Sequence, residues 1–339
     1  MAFPQNQTVS RLGQVNGAGD DRALFLKLYA GEVLTAFEEK NIFMGLHRTR
    51  TIASGKSAQF PLTGVASAKY HTPGELIESD KINHGERTVT VDDLLISSQF
   101  IASIDEAINH YDVRSIYSKE AGNALANTAD KNISRVIAKA ALINDATEAA
   151  AAFGASFADE VYTSNVTIGS VASDATVGAE IVRAIYAALE EFDSKDVTGD
   201  KVCVLPPAQY YALLNATDVT SATWLNKDVG GAGSVSGGVV PQVGGVSIYM
   251  SNNIPGTDES VTGATPAPLT SSRAGAYTGD FSGVKGLIFS QDAAATVKLL
   301  DLGVESEYQI DRQGTIMVAK YAMGHNVLRP ACAIALMGA

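Results

Sequence analysis

The chain has 339 residues, of which 46% are hydrophobic, so it can bury a full core in one to three compact lobes. Its 37 acidic and 25 basic residues give a formal net charge of −12, which argues against a protein that grips DNA, because phosphate binding needs clustered Lys and Arg. With no signal-like start, no long apolar run and only two cysteines, we expect no secreted, membrane-spanning or disulfide-stapled protein, but a product made in the cytoplasm.

The first forty residues predict an arm followed by a helix. Residues 1–19 are polar with little periodicity, which is typical of a mobile arm. Asp20 or Asp21 can cap the helix that follows. Its apolar side chains recur at helical spacing at Leu24, Phe25, Leu28, Leu34 and Phe37. An arm that ends in an amphipathic helix is suited to docking on a neighbouring molecule.

The next segment predicts a hairpin. Gln59–Leu62 and Thr88–Val91 are short β-like runs, the second with clean alternation of apolar and polar residues. Between them, residues 67–85 are polar and contain turn signals at Pro73-Gly74 and at residues 83–85. Because so few large apolar residues lie in this middle stretch, we expect the hairpin to project from the body.

A long helix is the strongest prediction from the sequence. Residues 104–111 predict a short helix, after which Asp112 or Ser115 can cap a longer one. About thirty residues at a rise of 1.5 Å each make a rod of ~45 Å, long enough to brace an extended subunit. One apolar stripe runs along it through Tyr117, Ala121, Leu125, Ala129, Ile133, Val136, Ile137 and Ala140.

The middle of the chain predicts an α/β lobe. Residues 145–175 are weakly periodic and predict a connector that contains a strand at Val161–Ile168. The elements expected after it are a helix from Thr176, a strand at Lys201–Leu205, a helix at Ala208–Asn215 and a strand at Gly245–Met250. The Gly- and Ser-rich stretches 229–238 and 256–272 predict long surface loops.

The last part of the chain is rich in β-like runs. The expected strands are Ala295–Leu302, Val304–Ile310, Gly314–Ala322 and Ala331–Met337, with a turn at residues 311–314. In the simplest arrangement, the long helix and these strands form one lobe, with the α/β lobe inserted between them. The predicted fold class is therefore α+β.

Motifs that would support catalysis or metal binding are missing from the sequence or better explained by packing. The glycines at 231–238 lack the flanking strand and helix of a phosphate-binding loop, and the five histidines show no paired spacing, so we expect no metal site and no cofactor. Residues 110–112 favour helix capping over acid–base chemistry. Cys203 lies in an apolar strand, where a thiol is usually inert. We expect no enzyme.

Several segments resemble the major capsid proteins of autographivirus-type short-tailed bacteriophages. The resemblance covers roughly residues 20–140 and 295–337, while residues 145–290 match mainly by the order of their elements. The segments that carry it are Leu24–Lys27, Gly31–Phe37, Ser54–Pro61, Pro73-Gly74-Glu75, Asn109–Ser115, Ala319–His325 and Leu328-Arg329-Pro330. They are similar to the family's N-terminal arm, extended loop, spine-helix entry and closing strands.

The resemblance implies the tailed-phage capsid architecture called the Johnson fold. The implied divisions are an N-terminal arm at 1–50, an E-loop hairpin at 51–97, a P-domain with the spine helix at 98–150, an A-domain at 151–292 and the P-domain's C-terminal strands at 293–339. Such subunits form hexamers and pentamers of an icosahedral shell in the virion, which encloses double-stranded DNA without sequence-specific binding. A scaffolding protein and a portal protein are the implied partners.

The resemblance also nominates contacts between copies of the chain. The candidate subunit-contact residues are Phe25, Phe37, Lys56, Phe60, Pro73, Glu75, Asn83 and Arg87. Two alternatives remain open. A nanocompartment shell of the same fold would enclose an enzyme as cargo and assemble without scaffold or portal, and an unrelated hydrolase would use Cys203 or a serine as its nucleophile.

Overall fold

A computed structural model describes residues 41–63, 68–74, 76–77, 84–104, 113–143, 166–168, 174–214, 242–260 and 276–338. The predicted N-terminal helix with Phe25 and Phe37, most of the short helix at 104–111 and the Gly-rich stretch 229–238 lie outside these residues. The strands are β1 Arg48–Thr51, β2 Ser57–Thr63, β3 His84–Thr90, β4 Leu95–Ala102, β5 Val166–Ile168, β6 Lys201–Leu205, β7 Gln242–Val243, β8 Val246–Met250, β9 Val284–Ser290, β10 Ala294–Gln309, β11 Gly314–Val327 and β12 Ala333–Gly338. The helices are α1 Val113–Leu142, α2 Asp174–Ser194 and α3 Pro207–Leu214.

A four-stranded sheet is built around the long antiparallel pair β10–β11. Its strand order is β1-β10-β11-β4, and β1 runs parallel to β10. The two strands predicted at Ala295–Leu302 and Val304–Ile310 are one strand, β10, whose register with β11 shifts between Lys298 and Gly303. The extra residues of such bulges bend a strand without ending it, which explains why the apolar alternation breaks there.

A six-stranded mixed sheet has the order β5-β12-β9-β6-β8-β7. β12, the last of the expected C-terminal strands, lies in this second sheet, between β5 and β9, and does not pair with β10 or β11. The physical reason is burial on both faces. Residues 333–336 are all fully buried, and a strand with two buried faces belongs in the interior of a sheet that is covered on both sides.

Helix α1 confirms the predicted rod. It runs for 30 residues, and its buried stripe packs against strands of both large sheets. The stripe contains many small side chains: Ala121, Ala126, Ala129, Ala138, Ala140 and Ala141 are all buried. None of the helices that the structure describes is both long and apolar enough to cross a bilayer.

A polar seam joins α1 to the loops of the α/β lobe. The Ser134 hydroxyl donates to the Asn253 carbonyl oxygen at 2.6 Å, and Arg135 forms a largely buried ion pair with Glu259 at 2.5 Å. The Lys139 ammonium donates to the Ala276 carbonyl oxygen at 2.8 Å. These bonds satisfy polar groups that the packing would otherwise leave without water, so they orient the loops on the helix.

Asp130 fastens the start of the described chain to the middle of α1. Its carboxylate accepts hydrogen bonds from the backbone N–H groups of Ile42, at 2.9 Å, and Phe43, at 3.3 Å. Asp130 is fully buried. Burial raises the pKa of the Asp130 carboxyl from 3.8 to about 6, although the two N–H bonds partly oppose that rise. We call residues 41–47 the arm root.

The hairpin β2–β3 forms a separate two-stranded sheet that crosses over β11. The seven residues of β2 pair with the seven of β3, from Ser57 opposite Thr90 to Thr63 opposite His84, which confirms the predicted hairpin. A Cβ atom placed on Gly324 would lie 2.0 Å from the Thr90 carbonyl oxygen. Only glycine therefore permits the hairpin to approach β11 this closely.

The first prediction concerns Asp130. Because its folded-state pKa lies above the unfolded value, its contribution to stability is complete below pH 3.8 and is lost as the pH rises through 6. Asn cannot titrate, so the stability of the natural chain relative to Asp130→Asn should increase by about 2 kcal/mol between pH 7 and pH 4. Urea unfolding at both pH values measures this, with the exposed Asp200→Asn as control. A difference that does not change with pH contradicts the prediction.

The second prediction concerns Gly324. Gly324→Ala should lower the free energy of unfolding by about 3 kcal/mol, at the upper end of overpacking costs, because the clash is with backbone. Gly303→Ala is the matched control in the neighbouring strand, since the nearest atom to its Cβ is 3.9 Å away. Urea unfolding of both variants checks this. Equal stabilities would mean that the hairpin does not depend on this approach.

Candidate assembly surfaces

The root of the hairpin is part of the subunit's own core. Residues Ala58, Leu62, Val89 and Val91 of the hairpin pack with Ala295, Val297, Ala322 and Leu328, and Phe60 packs against the edge of this cluster. Phe60 is only partly exposed. Its described contacts are therefore within the chain, and a contact with a neighbouring copy remains a prediction.

Arg87 likewise contacts its own subunit. Its Nε donates to the Val327 carbonyl oxygen at 3.2 Å, and its Nη2 donates to Asn326 Oδ1 at 3.4 Å. The Asn326 amide in turn donates to the Thr88 carbonyl oxygen at 3.0 Å. The Arg87 guanidinium and the Asn326 amide together hold β3 against the end of β11. A second role for Arg87 between copies remains a prediction.

The turn before β2 exposes Lys56. Gly55 has a φ of +107°, a backbone conformation that other residues rarely adopt, and the Lys56 carbonyl oxygen accepts the N–H of Val91 at 2.8 Å. The Lys56 side chain is exposed. It is available for contact from outside, as the candidate role requires.

The far end of the hairpin presents large apolar side chains to solvent. Tyr70, Leu76 and Ile77 are 104%, 88% and 78% exposed, and Pro73 is also exposed in the turn with Gly74. Glu75 and Asn83, the other candidate contacts of this loop, lie outside the described residues. These three apolar residues were not predicted as contacts, because the prediction rested on the average polarity of residues 67–85. We call Tyr70, Leu76 and Ile77 the hairpin tip.

A second apolar surface lies on the four-stranded sheet, on the face opposite α1. Cross-strand partners share a face, so Ile96 lies beside Lys320, and Phe100 lies beside Ile316. Ile96 is 55% exposed, and an ion pair between Lys320 and Glu305 at 2.6 Å borders this face. We call this area the outer sheet face. An apolar centre with a charged border is typical of a contact between proteins.

A buried hydrogen-bonded cluster, which we call the junction, lies where the arm root, the hairpin root and β10–β11 meet. Its members are His47, Thr296, His325, Tyr277 and Asp92. His47 Nδ1 lies 2.8 Å from the Phe43 carbonyl oxygen, and its Nε2 bonds the Thr296 hydroxyl. Thr296 also bonds His325 Nδ1 at 2.7 Å. The Tyr277 hydroxyl bonds the Asp92 carboxylate and accepts the His325 backbone N–H at 3.2 Å.

An open cleft of about 750 Å³ lies beside the junction. The charged residues that line it are Arg48, Lys201, Asp200 and Asp292, so the two signs balance. Arg48 pairs with Asp292, and Lys201 pairs with Asp193 at 3.2 Å. Because both cations are already paired, the cleft does not select an anionic ligand.

The described residues offer little for catalysis. Burial raises the pKa of the Cys203 thiol to about 12 and also raises the pKa of Cys332, which is the opposite of what a nucleophile needs. Both thiols are buried and free of disulfides. Among the described residues, no group of three His, Cys, Asp or Glu side chains could hold a metal ion. Residues 110–112 lie outside the described part.

Solved structures similar to this chain are phage capsid proteins. The capsid protein of cyanophage P-SCSP1u is 38% identical, with a TM-score of 0.70 over 98% of this chain and 99% of that one. The bacteriophage PhiM1 mature capsid subunit is 19% identical, with a TM-score of 0.67 over 88% and 87% of the two chains. A virus-like particle from Pyrococcus furiosus, 13% identical with a TM-score of 0.54, shares the fold alone.

Sequence relatives agree with the structural ones. The major capsid protein of Escherichia phage T7 is 33% identical over 95% of this chain and 94% of its own length, and that of Enterobacteria phage T3 is 33% identical over 96% and 94%. The profile of the Gp10A-like major capsid proteins matches residues 59–337. With the tailed-phage capsid fold and the exposed apolar surfaces described above, these matches show that the chain belongs to the Gp10A-like family of phage major capsid proteins, which form the icosahedral shell of the virion.

Proposed function

We propose that the hairpin β2–β3 is the extended loop by which one copy of this capsid protein holds the next, and that the hairpin tip is its main contact. The observation that carries the proposal is the contrast along the hairpin. The root is buried in the subunit's own core, whereas Tyr70, Leu76 and Ile77 at the tip are almost fully exposed. An apolar tip held away from its own core is stabilised only when another molecule covers it.

The magnitude of this contact suits a shell. Full burial of a Leu or Ile side chain contributes about 1.5–3 kcal/mol, so one tip supplies only a few kcal/mol. Closed symmetric assemblies repeat the same contact around every axis, and the sum over the lattice is large. The outer sheet face of a neighbouring copy, on which Ile96 is exposed beside Lys320, offers apolar surface to the tip.

We further propose that the shell consists of hexamers and pentamers and assembles with a scaffolding protein and a portal. The 33% identity to the major capsid proteins of phages T7 and T3 supports this proposal, and no observation favours the nanocompartment alternative. Electron microscopy of the protein expressed with and without the scaffolding protein of its phage tests it. Uniform closed shells formed equally well without that protein would contradict it.

The third prediction tests the hairpin tip. The triple variant Tyr70→Ser, Leu76→Ser, Ile77→Ser should melt like the natural subunit, because exposed substitutions usually change stability by less than about 0.5 kcal/mol. Its assembly should fail or give fragile shells, because the apolar area that the tip covers on its neighbour is lost. Circular dichroism measures the first effect, and sedimentation with microscopy measures the second.

The control for the tip is a double variant in the same loop, His71→Ser with Thr72→Ser, which changes exposed polar residues only. It should assemble normally. If the triple variant forms shells as many and as stable as the control, the hairpin tip is not the assembly contact. If both variants fail, the loop acts through its backbone shape and the apolar side chains are not the cause.

The fourth prediction concerns the proposed absence of catalysis at Cys203. A pKa three units above the ordinary 9 leaves about a thousandfold less thiolate at a given pH, so a thiol reagent should label native Cys203 at least that much more slowly than the unfolded chain. The measurement uses the Cys332→Ser variant, which leaves one thiol. Labelling in the native state as fast as in urea would revive the hydrolase alternative.

A further inference from the structure

We propose that the junction is an acid-sensitive latch: while its hydrogen bonds are intact it holds the arm root and the hairpin root against β10–β11, and one proton taken up by His47 opens it. This inference goes beyond the contact at the hairpin tip, because it concerns what sets the direction in which the hairpin leaves the subunit. It rests on the geometry of five buried or partly buried side chains.

The acceptors in the junction fix the position of each proton. The Phe43 carbonyl can only accept, so His47 Nδ1 carries a proton and its Nε2 carries a lone pair. The Thr296 hydroxyl must then donate to His47 Nε2, and the Thr296 oxygen accepts from His325 Nδ1 at 2.7 Å. All three bonds therefore point one way, from His325 through Thr296 and His47 to Phe43, with the His47 imidazole neutral.

One added proton breaks this pattern. A proton from water on His47 Nε2 turns that nitrogen into a donor, so the Thr296 oxygen can only accept from it. If the Thr296 oxygen also keeps the bond from His325 Nδ1, its own hydrogen loses its acceptor, His47 Nε2. The net change is one proton and one positive charge on His47, held in a site with 3% of the residue exposed.

The charges around the junction do not compensate that positive charge. Lys298 faces His47 from β10 and opposes protonation. Arg48, next along β1, is already paired with Asp292, and Arg87 from β3 faces the end of β11. The Asp92 carboxylate, which belongs to the junction, accepts a hydrogen bond from the Tyr277 hydroxyl. Asp130 lies on the far side of the arm root, where it binds the N–H groups of Ile42 and Phe43.

Burial is the main reason that the neutral form of His47 is favoured. It lowers the pKa of His47 from 6.5 to about 4. The stability that the neutral latch contributes is therefore complete above pH 6.5 and is lost as the pH falls through 4. The open latch, in which His47 is hydrated, binds the proton more tightly than the closed one. Below pH 6.5 this difference in proton affinity favours opening.

The segments that the latch holds are those that lead to the assembly elements. Residues 43–47 continue the arm, and Asp92 follows β3, where its backbone N–H also donates to the Met323 carbonyl oxygen at 3.1 Å. Tyr277 belongs to the loop before β9 that packs on α1. Opening the latch therefore frees the arm root, the hairpin root and this loop together. The cluster that contains the buried residues of α2 and β8 lies elsewhere.

Hydrogen exchange of the full chain, followed by mass spectrometry at pH 7, 5.5 and 4.5 and corrected for intrinsic rates, tests the latch. Peptides that contain residues 43–50, 88–93 and 322–328 should lose protection together, by about tenfold per pH unit between pH 6 and 4.5. Peptides from α2 and β8 should keep their protection. Because Asp130 titrates in the opposite sense, the Asp130→Asn background should make the loss at the arm root steeper.

Two variants identify the group responsible. His47→Gln cannot take up the proton and should remove the pH dependence of the 88–93 peptide. Thr296→Val keeps the shape but interrupts the chain of donors, so the same peptides should exchange at least tenfold faster already at pH 7. Thr128→Val, which removes a hydroxyl bonded only to the Ala124 carbonyl of its own helix, is the matched control.

Three results would overturn the proposal. The first is an unchanged acid response in a folded His47→Gln variant. The second is loss of protection in every peptide at once, which is global unfolding and not a latch. The third, decisive if His47→Gln does not fold, is a Thr296→Val variant that exchanges at pH 7 like Thr128→Val.

Discussion

One helix carries the packing of both large sheets, and the positions of the other elements depend on it. The buried stripe of α1 contacts the four-stranded sheet through its first half and the six-stranded sheet through its second half. Six buried alanines let strands approach the helix closely on both sides. Because protein interiors are packed like crystals, a larger side chain at any of these positions moves a sheet and does not fill a void. Asp130, in the middle of the helix, also holds the arm root in place, because its carboxylate accepts two backbone N–H groups from that segment.

The elements that the sequence predicts are those whose periodicity is local. The apolar stripe identifies α1, and alternation and turn residues identify the hairpin and most strands. β9 is not predicted, because Gly286 interrupts its apolar run; glycine is required there, since a Cβ would lie 2.7 Å from the Leu205 side chain. The sheet to which β12 belongs is not predicted either. Periodicity shows that a strand is buried, but not which neighbour buries it.

The polar groups that organise the assembly surfaces were harder to predict than the apolar ones. His47 lies 249 positions before Thr296, and Thr296 lies 29 positions before His325, and nothing in this spacing indicates that they meet. Asp130 looks like a solvent-facing residue beside an apolar stripe, yet it is fully buried. Among the candidate contacts, Phe60 and Arg87 serve the hairpin root. The exposed apolar residues of the same hairpin, at the hairpin tip, were not predicted as contacts, because residues 67–85 are polar on average.

The place of β12 links the order of synthesis to the completion of the fold. The strand forms parallel pairs with β5 and antiparallel pairs with β9, and its buried residues contact the cluster that includes Ile133 and Val136 of α1, about 200 residues earlier in the chain. During translation, α1 and the rest of the six-stranded sheet therefore emerge before the strand that joins β5 to that sheet. Until then, the apolar faces of α1 and β9 have no complete partner. The core of the subunit is consequently closed last, when β12 has been synthesised and inserts between β5 and β9.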